Sequence, residues 1–239
     1  PALTERQKLA VEALRKEVPN IQVEFDAVTG SPRSVMSNAR FLTQSEPMPR
    51  SLTYEQAMAK VKAYVNTHRN LFLHSGEVLD AAKVTRQDTT AATGLQTLTW
   101  EQRAAGLPVY GSFFKANVSK SGEIMMVASE MMRDAEAAAA DYLAAHPQTG
   151  VRGQISVEEA VAVAAASIGK TVSADEVKSA TSPNPKLAYQ FFDAPGLSRS
   201  WAQQIWLPMN ESAARLAWEV NVESSMDGLF TLVVDADTG

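Results

Sequence analysis

Residues 94–130 restrict the architecture of this chain more than any other segment. Trp100-Glu101-Gln102-Arg103 alternates in and out, and Leu107-Pro108-Val109-Tyr110-Gly111 resumes after a short polar turn. Phe113-Phe114-Lys115-Ala116-Asn117-Val118 then runs into Ser119-Lys120-Ser121-Gly122, and Ile124 opens another apolar stretch. Side chains along a strand point to opposite faces in turn, so this alternation predicts half-buried strands. Connections this short join only antiparallel neighbours. The segment therefore predicts strand, polar turn, strand, glycine-containing turn, strand: an antiparallel meander.

A helix precedes it. Leu52-Thr53-Tyr54-Glu55-Gln56 carries a capping box, in which the Thr hydroxyl accepts a first-turn N–H and the Gln side chain reaches back to the cap. The same grammar recurs at Ile155-Ser156-Val157-Glu158-Glu159. Apolar residues follow at helical spacing in both places: Ala57, Met58, Val61, Tyr64 and Val65, then Val157, Ala160, Val161, Ala164 and Ile168. Each helix has one apolar face to lay on a sheet.

The strands echo as well. Thr99-Trp100-Glu101 has a counterpart in Ala217-Trp218-Glu219, and Ala116 to Gly122 is mirrored by Leu232 to Gly239 and by Val23 to Gly30. All three of the latter read as a strand entering a tight turn, where Asp or Ser accepts local backbone hydrogen bonds. A repeated order of helix and then antiparallel strands predicts an α+β fold of two similar halves. Between them, residues 134–145 are Ala-rich and predict a linker helix that His146-Pro147 ends. Beyond Ser182-Pro183-Asn184-Pro185, residues 186–192 and 203–207 predict strands, with a break at Asp193-Ala194-Pro195-Gly196. The turn at Asp235 to Gly239 predicts a hairpin whose second strand lies outside this polypeptide, and hence that the chain is the front part of a longer precursor; a disordered or trimmed tail is the alternative.

Composition narrows the partners. A chain of 239 residues has room for one large domain or two ordinary ones, and 45% apolar with 21% charged residues is a globular composition. The net charge of −5 is spread among interspersed acids and bases, which argues against a nucleic-acid surface. No apolar run approaches the ~20 residues that cross a bilayer. Cysteine is absent, which removes disulfides, Cys-based zinc sites and thiol nucleophiles together without fixing a compartment.

The motif census yields no reaction centre. His68, His74 and His146 lack the helical spacing that zinc ligation from one helix needs, and His68 sits late in a helix, where a cation is favourable. Gly169-Lys170-Thr171 ends a helix where a phosphate loop should begin one. Asp235-Ala236-Asp237-Thr238-Gly239 places its Gly too early for a calcium loop. Gly196-Leu197-Ser198 lacks the closing Gly of a nucleophile elbow. Glu158 and Glu159 are explained by capping, and Trp100, Trp201, Trp206 and Trp218 read as sheet or core aromatics without a basic stripe between them. Asn117-Val118-Ser119 and Asn210-Glu211-Ser212 fit a glycosylation pattern, informative only in a eukaryotic source. The reading names no catalytic, cofactor-binding or metal-binding residue.

The order of these elements carries a family resemblance. Phe25 to Val35, with Thr29-Gly30-Ser31-Pro32-Arg33-Ser34, resembles the opening hairpin of fungalysin-type propeptides. Leu52 to Met131, centred on Leu107-Pro108-Val109-Tyr110-Gly111, resembles the fungalysin/thermolysin propeptide motif. Residues 155–239, with Arg215-Leu216-Ala217-Trp218-Glu219-Val220, are similar to a PepSY-like half. The resemblance implies two cystatin-like units: an N-terminal propeptide-like domain at 1–132, a linker helix and loop at 133–153, and a PepSY-like domain at 154–239. It implies a non-catalytic propeptide, inhibitor and intramolecular chaperone of a secreted or cell-envelope zinc metallopeptidase. The partner is then the cognate catalytic domain of the same precursor, with zinc in that domain only and no cofactor in this chain. The alternatives are a stand-alone, exported PepSY-like module that binds proteins or regulates peptidases, and an enzyme with an unrecognised site.

Overall fold

The computed structural model describes residues 2–44, 52–184, 188–224 and 228–239. The fold is α+β, and the chain divides into two compact units: residues 1–138 with 208–213, and 139–207 with 214–239.

In the first unit, helices α1 (Glu5–Glu17), α2 (Tyr54–Thr67), α3 (Arg69–Phe72) and α4 (Val78–Ala81) accompany strands β1 (Ile21–Glu24), β2 (Ser34–Ser37), β3 (Lys83–Thr89), β4 (Gln96–Ala104), β5 (Leu107–Val118) and β6 (Ile124–Ser129). The strands pair antiparallel in the order β1-β2-β6-β5-β4-β3. The expected meander is β4, β5 and β6, joined by a two-residue turn at 105–106 and a glycine-containing turn at 119–123.

Register explains the core. Val35, Val127, Ala116 and Leu98 stand side by side across four strands, and all four are fully buried. Trp100 faces Phe114 on the next row, with ring centroids 5.9 Å apart. Against this face α2 lays Ala57, Val61, Tyr64 and Val65, and α1 lays Val11 and Leu14. Each buried Val or Leu contributes about 1.5–3 kcal/mol, so this face fixes which side of every strand points inward. The capping boxes at Thr53 and Gln56 and at Ser156 and Glu159 form as expected. A third, Thr4 with Gln7, opens α1, a helix absent from the reading above.

The expected Ala-rich helix forms as α5 (Ala135–Ala145), and the boundary between the two units falls within it. The second unit continues with α6 (Val157–Ser167), β7 (Lys178–Ala180), β8 (Gln190–Asp193), β9 (Arg199–Pro208), β10 (Ala214–Ser224) and β11 (Gly228–Asp235), in the strand order β7-β8-β9-β10-β11. Helix α6 packs on β10 and β11 through Ala160, Val161, Ala164 and Ala165.

Two expected strands differ in extent. The first begins at Gln190 rather than at residue 186; residues 185–187 lie outside the described part, and 188–189 are not strand. The second is longer than 203–207, because Phe191 pairs with Trp201 and the Ser200 hydroxyl donates to the Phe192 carbonyl at 3.0 Å, drawing residues 199–202 into the ladder.

Candidate functional site

The three histidines follow three different helices. His68 caps the C-terminus of α2, His74 follows α3, and His146 follows α5. Among the described residues no group of three or more His, Asp or Glu could hold a metal ion. The helix-end position of His68 does not favour its cation as the sequence suggested. Burial pushes its pKa below the usual imidazole value, and the opposing attraction of Glu17 is smaller. Desolvation outweighs that attraction.

Several of the other motifs occupy helix ends, turns and core positions. Ile168 caps α6, so Gly169-Lys170-Thr171 is a helix stop. Asp235 accepts from the N–H groups of Asp237 and Thr238 at 2.9 and 3.1 Å, as a turn residue does. Trp100, Trp206 and Trp218 are buried, and half-buried Trp201 stacks on Phe191. In the second unit the Tyr142 hydroxyl donates to Asp237, and His146 stacks on Tyr142 at 4.1 Å and lies 3.6 Å from the same carboxylate. This cluster joins α5 to the turn after β11.

One pocket in the first unit gathers three arginines and no acid among the described residues. Its volume is about 530 Å3, and Arg6 of α1, Arg69 and Asn70 of α3, and Arg133 after β6 line it. The loop of Leu73, His74 and Ser75 completes the wall. Gln7, beside Arg6, holds these elements together. Its Nε2 donates to the carbonyls of Gly30 and Leu71 at 2.8 and 3.3 Å, while its Oε1 accepts from the Thr4 N–H at 3.1 Å. Leu73 is left-handed at φ 62°, a conformation that costs a non-glycine residue about 1–2 kcal/mol. Its N–H donates to the Arg69 carbonyl at 2.8 Å, which ends α3 and turns the chain into the pocket wall. Farther along, the Gly76 N–H donates to Asn66 Oδ1 at 2.7 Å and pins the loop to α2.

His74 is held rigidly in this wall. Its Nδ1–H donates to the Ser75 carbonyl at 3.0 Å, and its ring lies 5.8 Å from that of Phe72. Nε2 is buried without a hydrogen-bond partner, and burial lowers the pKa. None of this was legible beforehand, because Arg6, Arg69 and Arg133 are far apart in sequence and share no motif.

The segment Leu107-Pro108-Val109-Tyr110-Gly111 has its own geometry. Phe113 pairs with Glu101 and Pro108 with Arg103, so four residues of β5 stand opposite Gln102 alone. Gly111, at φ 65°, supplies the bend. Gln102 secures the base of this excursion: its Oε1 accepts from the Ser112 hydroxyl at 2.6 Å and the Met132 N–H at 2.8 Å, and its Nε2 donates to the Met132 carbonyl at 2.9 Å. Tyr110 is exposed on the excursion.

Residues 80–130 match the Fungalysin/Thermolysin Propeptide Motif. The matched span runs from the end of α4 through β3, β4, β5 and β6. It supports a propeptide region of a fungalysin-type peptidase. No curated protein matches the chain. No helix among the described residues is long and apolar enough to cross a membrane.

Proposed function

We propose that this chain is the prosegment of a secreted or cell-envelope zinc metallopeptidase of the fungalysin type, non-catalytic in itself, inhibiting the catalytic domain of the same precursor and assisting its folding. The observation that carries this reading is the coincidence of the propeptide motif with a continuous antiparallel run of the first unit, since residues 80–130 take in the whole of β3 to β6. On this reading the second unit, in which α6 packs on β10 and β11, is the PepSY-like half, and each of the two units is cystatin-like.

The physics of a tethered inhibitor supports the role. Within one precursor the effective concentration of a linked domain reaches the millimolar range, so modest contacts occupy the cleft until cleavage removes the tether. A prosegment needs shape and stability rather than reactive groups. Zinc belongs, on this account, to the catalytic domain alone.

The test is titration of the isolated chain into a fungalysin-type catalytic domain made without its prosegment, with peptide hydrolysis followed. Saturable inhibition is expected, together with a higher yield of active enzyme when the denatured catalytic domain is refolded beside the chain. Hydrolysis unaffected at large excess contradicts the inhibitory role, and an unchanged refolding yield contradicts the folding role.

A further inference from the structure

We infer that the Arg6, Arg69 and Arg133 pocket is a docking site for an acidic peptide segment, whose carboxylates the three guanidinium groups receive. The argument begins with charge. The chain as a whole is acidic, with 27 Asp and Glu against 22 Lys and Arg, yet among the described residues no acidic one lines this pocket. None of the three guanidinium groups makes an ion pair or hydrogen bond among the described residues.

The nearest acids in sequence are engaged elsewhere. Glu5 pairs with Lys8 at 2.6 Å. Asp134 accepts from the Ala137 N–H at 3.0 Å and caps α5. Glu136 accepts from the Ala105 N–H at 3.1 Å. Three like charges therefore line one pocket from three separate segments, with no acid among the described residues paired to them. Such an arrangement opposes folding slightly through self-repulsion and favours whatever anion enters.

Geometry selects the class of anion. Guanidinium forks match carboxylate and phosphate oxygens in bidentate fashion. The cavity, at about 530 Å3, has the volume of a ligand site that takes several groups at once, and a lone phosphate or sulfate would leave most of it empty. Leu73 adds an apolar contact and Asn70 an amide to the same wall, as a peptide backbone with side chains would use. The backbone of the wall is fixed in place by Gln7, by the left-handed turn at Leu73 and by the Gly76–Asn66 bond, so the ordering cost of binding falls on the exposed arginine side chains and not on the wall. The inference concerns the pocket and does not depend on the prosegment reading.

The experiment measures fluorescence anisotropy of a labelled Glu/Asp-rich peptide titrated with the full chain, beside its Gln/Asn isostere, with inorganic phosphate as competitor. The expected result is binding of the acidic peptide that weakens as salt is raised, and little binding of the isostere. Arg69→Gln and Arg133→Gln each lower the affinity about tenfold, the scale of a lost charge-assisted hydrogen bond. Arg15→Gln, on the last turn of α1 and outside the pocket, leaves it unchanged. All three variants keep the melting temperature of the parent, which separates lost binding from lost folding. Equal binding of the isostere, undiminished binding by the two pocket variants, or no binding at all overturns the inference. Displacement by phosphate as effective as by unlabelled peptide also overturns it, and makes the pocket a free-anion site instead.

Discussion

At the scale of single residues, two features set measurable limits on stability. His68 and His74 are both held below the usual imidazole pKa by burial. The unfolded chain therefore binds protons more readily than the folded one as pH falls through about 6.5. Stability is highest above that value and declines from there toward the lower, folded-state pKa. Urea midpoints measured from pH 7.5 to 5 are expected to fall, and His74→Gln is expected to flatten part of the slope; a parent curve flat over this range contradicts the assignment. The second feature is Gly153, at φ 71° and ψ −175°, a region open only to glycine. A Cβ there would lie 2.5 Å from the Ala236 carbonyl oxygen, which accepts from the N–H groups of Gln154 and Ile155 at 2.7 and 3.0 Å. Gly153→Ala is expected to cost about 2–4 kcal/mol, from strain plus weakened hydrogen bonds. At Gly111 a Cβ meets nothing within 4 Å, so Gly111→Ala costs only the positive φ, about 1–2 kcal/mol. Equal melting temperatures for the two variants would contradict this ranking.

At the scale of elements, Gln7 separates two contributions to the placing of α1. Its side chain closes the capping box with Thr4 and also donates to the carbonyls of Gly30 and Leu71. Gln7→Ala loses both and is expected to cost about 2–3 kcal/mol. Gln7→Glu keeps an acceptor for the cap but cannot donate, and it sets a carboxylate beside two carbonyls, so it is expected to be at least as destabilising. A benign Gln7→Glu in chemical denaturation would show that the cap alone matters. The same distinction between local and distant contacts governs what the sequence revealed. The capping boxes of α2 and α6 and the meander of β4, β5 and β6 were legible because each depends on residues a few positions apart. Helix α1 carries the same Thr-x-x-Gln signal, but its buried face is narrow, with Leu9 on the exposed side. The excursion opposite Gln102 was illegible, because register depends on the partner strand: the pairing steps from Pro108 to Phe113 while β4 advances only from Arg103 to Glu101. The arginine pocket was illegible for a different reason: it is assembled by Gln7 and Leu73 from segments that only tertiary structure brings together.

At the scale of the whole molecule, the motif at 80–130 points to a peptidase propeptide, and the inhibitory and folding roles are the proposal built on it. A prosegment that holds no metal of its own is expected to melt at the same temperature with and without a chelator; a substantial drop on adding one contradicts the placing of zinc in the catalytic domain alone. The central claim, that this chain is made together with the enzyme it controls, is tested most directly by determining the coding sequence on either side of it. The account predicts one continuous frame in which Gly239 leads into a domain carrying His-Glu-x-x-His and a later Glu ligand. A frame that closes within a few dozen codons, with no peptidase domain on either side, would contradict it and leave a stand-alone binding module.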